Sequence, residues 1–286
     1  MNEEEAIRAP ADALADRLIR VSDPDVAIYR IYSLWFLEEA LRLRRLALTL
    51  PASWEDPLEV VGNAIAVKRH RGDRVEQVII NQSLPPAFAQ CWSTTAESDS
   101  LLRAYSRVVK DPHFRRNTCP RDEGVRVRST PRKLLQAVLA GTPAGLKGHW
   151  FLGAVQYLPR EELLQEITNA IGHHGLQVFE IPSNRARLLL FKREAFSHES
   201  EVRIIFVQQN PEPRQTIIQV PIEPSAVFED VSFDPRLETF ERREREAVIR
   251  SLGYKGEISE SGLYQKTLLQ VGMVDRDEVG KGPTTA

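Results

Sequence analysis

The stretch from Phe191 to Val207, FKREAFSHESEVRIIFV, places Glu199, Glu201 and Arg203 at every second position before an apolar run. Side chains alternate along a strand, so this spacing predicts the three on one face and Val202, Ile204 and Phe206 on the other. On a solvated outer face such a row is salt-bridged charge and nothing more. Beside a cleft it holds two carboxylates on rigid backbone, about 7 Å apart by two strand rises, one kept in place by Arg203 and the other doing chemistry. Carboxylates so placed suit two tasks: stabilising positive charge that grows in a transition state, and deprotonating an attacking group. His198 falls on the face opposite both carboxylates in this reading, so no metal is expected. His173 and His174 stand at a helix end, where the dipole favours a protonated imidazole without any catalytic role.

The elements that must position this row follow from periodicity. Residues 3–18 read as an amphipathic helix on Ile7, Leu14 and Leu18. A strand follows in VAIYRIYS, then a helix on Leu34, Leu37 and Leu41, then a short strand at residues 46–50. Asp56-Pro57 marks a turn, and a strand is predicted at 77–81. Residues 89–93 read as a strand, and 98–109 as a helix with Ser98 or Asp99 as its cap. A strand at 124–128 precedes a helix at 131–140, with Thr130 capping and Pro131 in the first helical position. FLGAVQYLP reads as a strand, the helix after it stops at Gly175, and a short helical turn precedes the strand that carries Glu199. TIIQVPI, SAVFEDVSF and KGEISES are further strands, with a helix at 238–252 between the last two. Strands and helices intermix without βαβ alternation, which predicts an α+β fold with a mixed or antiparallel sheet.

The 286 residues suffice for one large domain or two small ones. The 42% hydrophobic and 27% charged residues are ordinary for a soluble globular protein. Cys91 and Cys119 match neither a disulfide framework nor a metal-ligand spacing, which points to reduced thiols and a cytoplasmic location. The acidic N-terminus resembles no targeting signal, and no apolar run approaches a membrane span. Charge is uneven: ten basic residues lie between Arg103 and Lys133 against Asp111, Asp122 and Glu123. That run is either a solvated face or a footprint for phosphate or nucleic acid. The polar tail, 275–286, is expected to be disordered.

Four stretches, AIYRIYS with its following helix, SWEDPLE, CWSTTAESDSLLRAYS leading to EGVRVR, and FKREAFSHESEVRII, resemble in order and spacing the bacterial DUF2971 family from about Ile28 to Tyr264. The resemblance implies one DUF2971-like domain over 1–274. Trp54-Glu55 stands where the family pattern has Phe-Asn, and Leu102 where it has Trp. The layout is also similar to that of ADP-ribosyltransferases, whose split sheet flanked by helices carries a basic residue on its first strand, a Ser-Thr-Ser-like strand and a (Glu/Gln)-x-Glu strand. These map here to Arg30, to Ser93-Thr94-Thr95, and to Glu199-Ser200-Glu201.

That similarity implies an enzyme or toxin that uses NAD as its substrate and cleaves the nicotinamide–ribose bond. Glu201 would stabilise the oxocarbenium-like state, Glu199 would serve the acceptor, and Arg30 would bind the pyrophosphate through its planar fork. Ser93 and Thr94 would fix the nicotinamide pocket, where Tyr29, Trp92 or Tyr105 could stack, and Arg203 would steady the carboxylates. Each has a plainer reading: Arg30 pairing with either glutamate, Ser93-Thr94 as an ordinary strand end, and Tyr105 as core. The acceptor stays open among protein, nucleic acid, small molecule and water. The resemblance also implies antiviral (phage) defence and a protein partner encoded in the same operon. Two other classes remain: a metal-dependent nuclease, and a non-catalytic regulatory or antitoxin-like partner.

Overall fold

The computed structural model describes residues 14–51, 54, 66–71, 74–79, 84–209 and 214–265. Its centre is a ten-stranded mixed sheet. The main path runs β1 (Leu18–Ile19), β8 (Gly148–Ala154), β11 (Glu201–Gln208), β6 (Ala87–Ser93), β2 (Ile28–Ser33), β7 (Gly124–Ser129), β13 (Asp230–Phe233) and β14 (Glu257–Ser259). β3 (Arg45–Thr49) pairs with β6 and with β12 (Ile217–Pro221), off that path. Two small ribbons stand apart: β4 (Ala66–Arg71) with β5 (Arg74–Ile79), and β9 (Gln156–Leu158) with β10 (Phe191–Arg193).

The split lies at β6. One edge of this strand meets β3 through Ala89↔Thr49 and β2 through Tyr29↔Ser93, so two arms of the sheet diverge from a single strand. The α+β class and the split sheet flanked by helices are therefore present.

The helices start and stop where their caps dictate. Ser33 accepts from the Phe36 N–H and opens the helix Leu34–Leu43, which buries Leu34, Leu37 and Leu41 at helical spacing. Thr130 caps Pro131–Gly141, and Ser98 caps Asp99–Tyr105. The latter ends at Tyr105, short of Val109, and buries only Leu102.

All eight residues of β11 are buried. Val202, Ile204 and Phe206 face the larger core with Phe88, Trp92, Trp150 and Leu152. Ile205 and Val207 face a second cluster with Ala87, Ala89, Phe151 and Leu190. A strand covered on both sides has no solvated charged face, so the outer-face reading of Glu201 and Arg203 is excluded: they are 6% and 0% exposed.

Other boundaries differ from the sequence reading. Leu18 begins β1 instead of ending a helix, and the rest of that expected helix lies mostly outside the described residues, as do the Asp56-Pro57 turn and the tail. The FLGAVQYLP strand breaks at Val155, whose N–H donates to the Glu201 carbonyl, so its second half is free to pair with β10. Pro224–Val227 is a helical turn before β13, and the strand expected at 77–81 overlaps the end of β5 but begins earlier, at Arg74, with β4 as a partner that the sequence reading lacks. No helix among the described residues is long and apolar enough to cross a membrane.

Candidate active site

β11 starts at Glu201, not Glu199. Glu194–Glu199 is a 3-10 turn, and Ser200 takes a left-handed conformation at φ 45°. That residue breaks the two-residue alternation, so Glu199 and Glu201 are not successive members of one strand face, and His198 lies on the turn. The two carboxylates nevertheless converge, because a lysine outside the motif joins them. Lys192 Nζ lies 2.5 Å from Glu199 Oε2 and 3.6 Å from Glu201 Oε2. Arg203 does hold a carboxylate as expected, and it is that of Glu201: Nη2 donates to Oε2 over 2.7 Å. Arg203 Nη1 donates to the Leu189 carbonyl, and its guanidinium lies 4.7 Å from the Trp54 ring centroid.

The turn is clamped by the end of β6. Ser93 Oγ donates to the Glu199 carbonyl at 2.6 Å, and the Thr94 N–H donates to the Ser200 carbonyl at 2.9 Å. Ser93 Oγ also accepts from the Thr95 N–H. From the far side, the Tyr157 hydroxyl accepts from the Glu201 N–H at 2.8 Å.

Register aligns the expected residues into one row. Tyr29 pairs with Ser93 and Ser93 with Glu201, across three antiparallel strands. Directly paired residues share a face, so Tyr29, Ser93 and Glu201 stand side by side. They line one cleft of about 60 Å³ with Tyr105, Arg126 and Glu199. Arg126 lies over the Tyr29 ring, 5.3 Å from its centroid.

Arg30 does not join that row. Alternation puts it on the Ile28 and Tyr32 side of β2, and it reaches the cleft through the split. Beyond Tyr29↔Ser93 the two strands splay, and Arg30 Nη1 donates 2.5 Å to the Cys91 carbonyl while its guanidinium lies 4.9 Å from the Tyr32 centroid. Neither glutamate pairs with it among the described residues, and its Nε is buried without a hydrogen-bond partner. Through Arg30, Ile31 and Tyr105 the cleft adjoins a second cavity of about 450 Å³, whose lining includes Phe36, Gln90 and Ile217.

Trp92 is 2% exposed and belongs to the core, its indole N–H donating to Gln90. Tyr29 and Tyr105 are thus the rings left for stacking. Tyr105 is not core: it is 55% exposed and walls the cleft. Burial of its hydroxyl, then Cys91 and the two glutamates, push it up to about 12.

Burial alone would raise the Glu201 carboxyl. The Arg203 charge and hydrogen bond, followed by Lys192, outweigh it and hold Glu201 below its ordinary range, so it is ionised at neutral pH. Burial, and then Glu201, push the adjacent Cys91 thiol well up. Lys192, Tyr157 and Cys91 are the site residues that sequence reasoning missed.

The basic segment is largely neutralised. Eight of its ten cations stand within ion-pair distance of a carboxylate: Arg103 of Asp99, Lys110 and Arg115 of Glu238, Arg116 of Glu244, Arg126 of Glu97 and Asp230, Arg128 and Lys133 of Glu229, and Arg132 of Asp25. Among the described residues no group of three or more His, Cys, Asp or Glu could hold a metal ion.

No family model and no curated protein matches the chain, so the DUF2971 resemblance gains no support. Solved structures that match include three of Thermus sp. 2.9 DarT. The complex with ADP-ribosylated ssDNA matches at 10% identity over 85% of this chain and 97% of that one, with a TM-score of 0.37. The complex with NAD+ matches at 13% identity over 84% and 98%, with a TM-score of 0.35. The complex with carba-NAD+ matches at 12% identity over 83% and 96%, with a TM-score of 0.33.

Proposed function

We propose that the chain is an NAD-dependent ADP-ribosyltransferase-like enzyme that cleaves the nicotinamide–ribose bond, with Glu201 as its key carboxylate. The observation that carries the reading is the Tyr29–Ser93–Glu201 row, which brings an aromatic ring, a clamping hydroxyl and a buried ionised carboxylate to one cleft. As the bond between ribose C1′ and the nicotinamide nitrogen breaks, its electron pair leaves with neutral nicotinamide and positive charge grows on the ribose. A fixed carboxylate in a water-poor site stabilises that charge without reorganising. Glu199, which lines the same cleft, would take the proton of the attacking acceptor or water.

NAD as substrate also suits the larger volume. The two cavities meet at Arg30, and a molecule with two ring-bearing ends joined by a diphosphate fits two volumes joined at a guanidinium. Arg30, Tyr29 and Tyr105 line the NAD-binding space in this reading, while Ser93 and Thr94 hold the turn and the fully buried Arg203 holds the Glu201 carboxylate from behind. A nucleic-acid acceptor contacting Arg103–Lys133, a place in antiviral defence and a partner in the same operon rest on the sequence reading alone.

The test is nicotinamide release by wild type, Glu201→Gln and Glu199→Gln, with thermal melting of each. Glu201→Gln is expected to lower turnover on the order of 10²- to 10³-fold in folded protein, and Glu199→Gln to impair transfer more than hydrolysis. Equal activity in all three, or loss only in step with melting temperature, would overturn the reading.

A further inference from the structure

Lys192 is 4% exposed, and a buried lysine is a poor choice for stability alone. Its surroundings show what it faces. It sits on β10, outside the main sheet, and its register partner on β9 is Tyr157. One row of this ribbon therefore reaches Glu201 twice: Tyr157 takes the backbone N–H, and Lys192 takes the side chain. Lys192 also takes Glu199, and its ammonium lies 4.7 Å from the Phe196 ring centroid on the turn between them.

We propose that Lys192 is a positioning residue that holds the carboxylates of Glu199 and Glu201 together over the cleft. The assignment rests on the carboxylate site proposed above. With Arg203 and Lys192 present, two cations face two carboxylates. Remove Lys192 and the buried Glu201 and half-buried Glu199 carboxylates share one cation, so like-charge repulsion favours uptake of a proton by the pair.

The cations nearest it among the described residues have partners of their own. Arg203 from β11 is committed to Glu201 and the Leu189 carbonyl. Arg30 from β2 is held on the Cys91 carbonyl. Cys91 from β6, Tyr157 from β9 and Tyr105 from the helix Asp99–Tyr105 face the pair as neutral groups, each pushed up first by burial. Arg193 and His198 belong to the turn region itself, where Arg193 lies over the outer Phe196 ring.

The test titrates glutamate carboxyls by ¹³C NMR in free protein without NAD, beside the pH profile of nicotinamide release. Lys192→Met should make the pair take up one proton about 1–3 pH units higher than in wild type, moving the acid limb of the profile with it. Lys192→Arg should stay near wild type. Lys192→Met combined with Glu199→Gln removes one charge of each sign, so Glu201 should titrate again as in wild type. A folded Lys192→Met that titrates like wild type, a shift that Glu199→Gln fails to cancel, or a double variant that fails to fold would overturn the proposal. Wild type that titrates as expected without releasing nicotinamide would overturn the NAD reading and leave the carboxylate clamp standing.

Discussion

The Ser93 hydroxyl donates a 2.6 Å hydrogen bond to the Glu199 carbonyl, so the strand that carries the serine fixes the backbone of the turn that carries the glutamate. The neighbouring Thr94 N–H does the same for Ser200, whose left-handed backbone redirects the chain between the two carboxylates. A serine at this position thus shapes the site through its hold on the backbone of the turn.

Ser93→Ala should destabilise the protein by about 1 kcal/mol, the net worth of one such hydrogen bond. Its effect on nicotinamide release should exceed its effect on folding, because the turn it frees carries Glu199. Thermal melting and turnover measured on the same preparation check this, and an activity loss no larger than the stability loss would count against it.

Arg203→Met should be far more costly, on the order of 3–5 kcal/mol, since it strips a buried carboxylate of its closest cation. Urea denaturation measures the cost. A loss under about 1 kcal/mol, as for a surface pair, would contradict the buried geometry.

The Glu201 shift fixes the sign of a pH effect. A carboxyl held below its unfolded value of about 4.3 contributes stability that is present above that pH and is lost as pH falls through the folded value. Wild type should therefore lose stability between neutral and acidic pH more steeply than Glu201→Gln, which has no proton to take up there. Melting temperatures in steps from pH 7 to pH 3 would show the two curves converging, and parallel curves would refute the assignment.

Glu238 and Glu244 hold Lys110, Arg115 and Arg116, so Glu238→Gln with Glu244→Gln releases three cations. If the basic segment meets a polyanion, this variant should bind single-stranded DNA or RNA more tightly than wild type. Its affinity should also fall more steeply with salt, as more counterions are displaced. Filter binding across a salt series decides, and unchanged affinity and slope would mark the segment as a solvated face.

Much of the fold was legible from local signals. Ser98 and Thr130 announced their helices because a cap is a contact between residues a few positions apart. Val202, Ile204 and Phe206 announced one face of β11 because strand alternation is local as well. The ribbons β4–β5 and β9–β10 were not legible as such, since neither presents a long apolar period and β9 separates from β8 only at Val155.

The sequence by itself determined which residue types were available for the chemistry: Tyr29, Ser93, Glu199, Glu201 and Arg203, on strands and turns of predictable kind. Tertiary structure alone decided how they meet. Register across β2, β6 and β11 set Tyr29, Ser93 and Glu201 in a row, and the splay of β2 from β6 sent Arg30 to the Cys91 carbonyl instead of either glutamate. The left-handed Ser200 removed Glu199 from the strand face, and β10 supplied the lysine that brings it back beside Glu201. Alternation and caps depend on neighbours along the chain, whereas the charge and solvation that decide a carboxylate's role come from groups distant in sequence that only packing brings within a few ångströms.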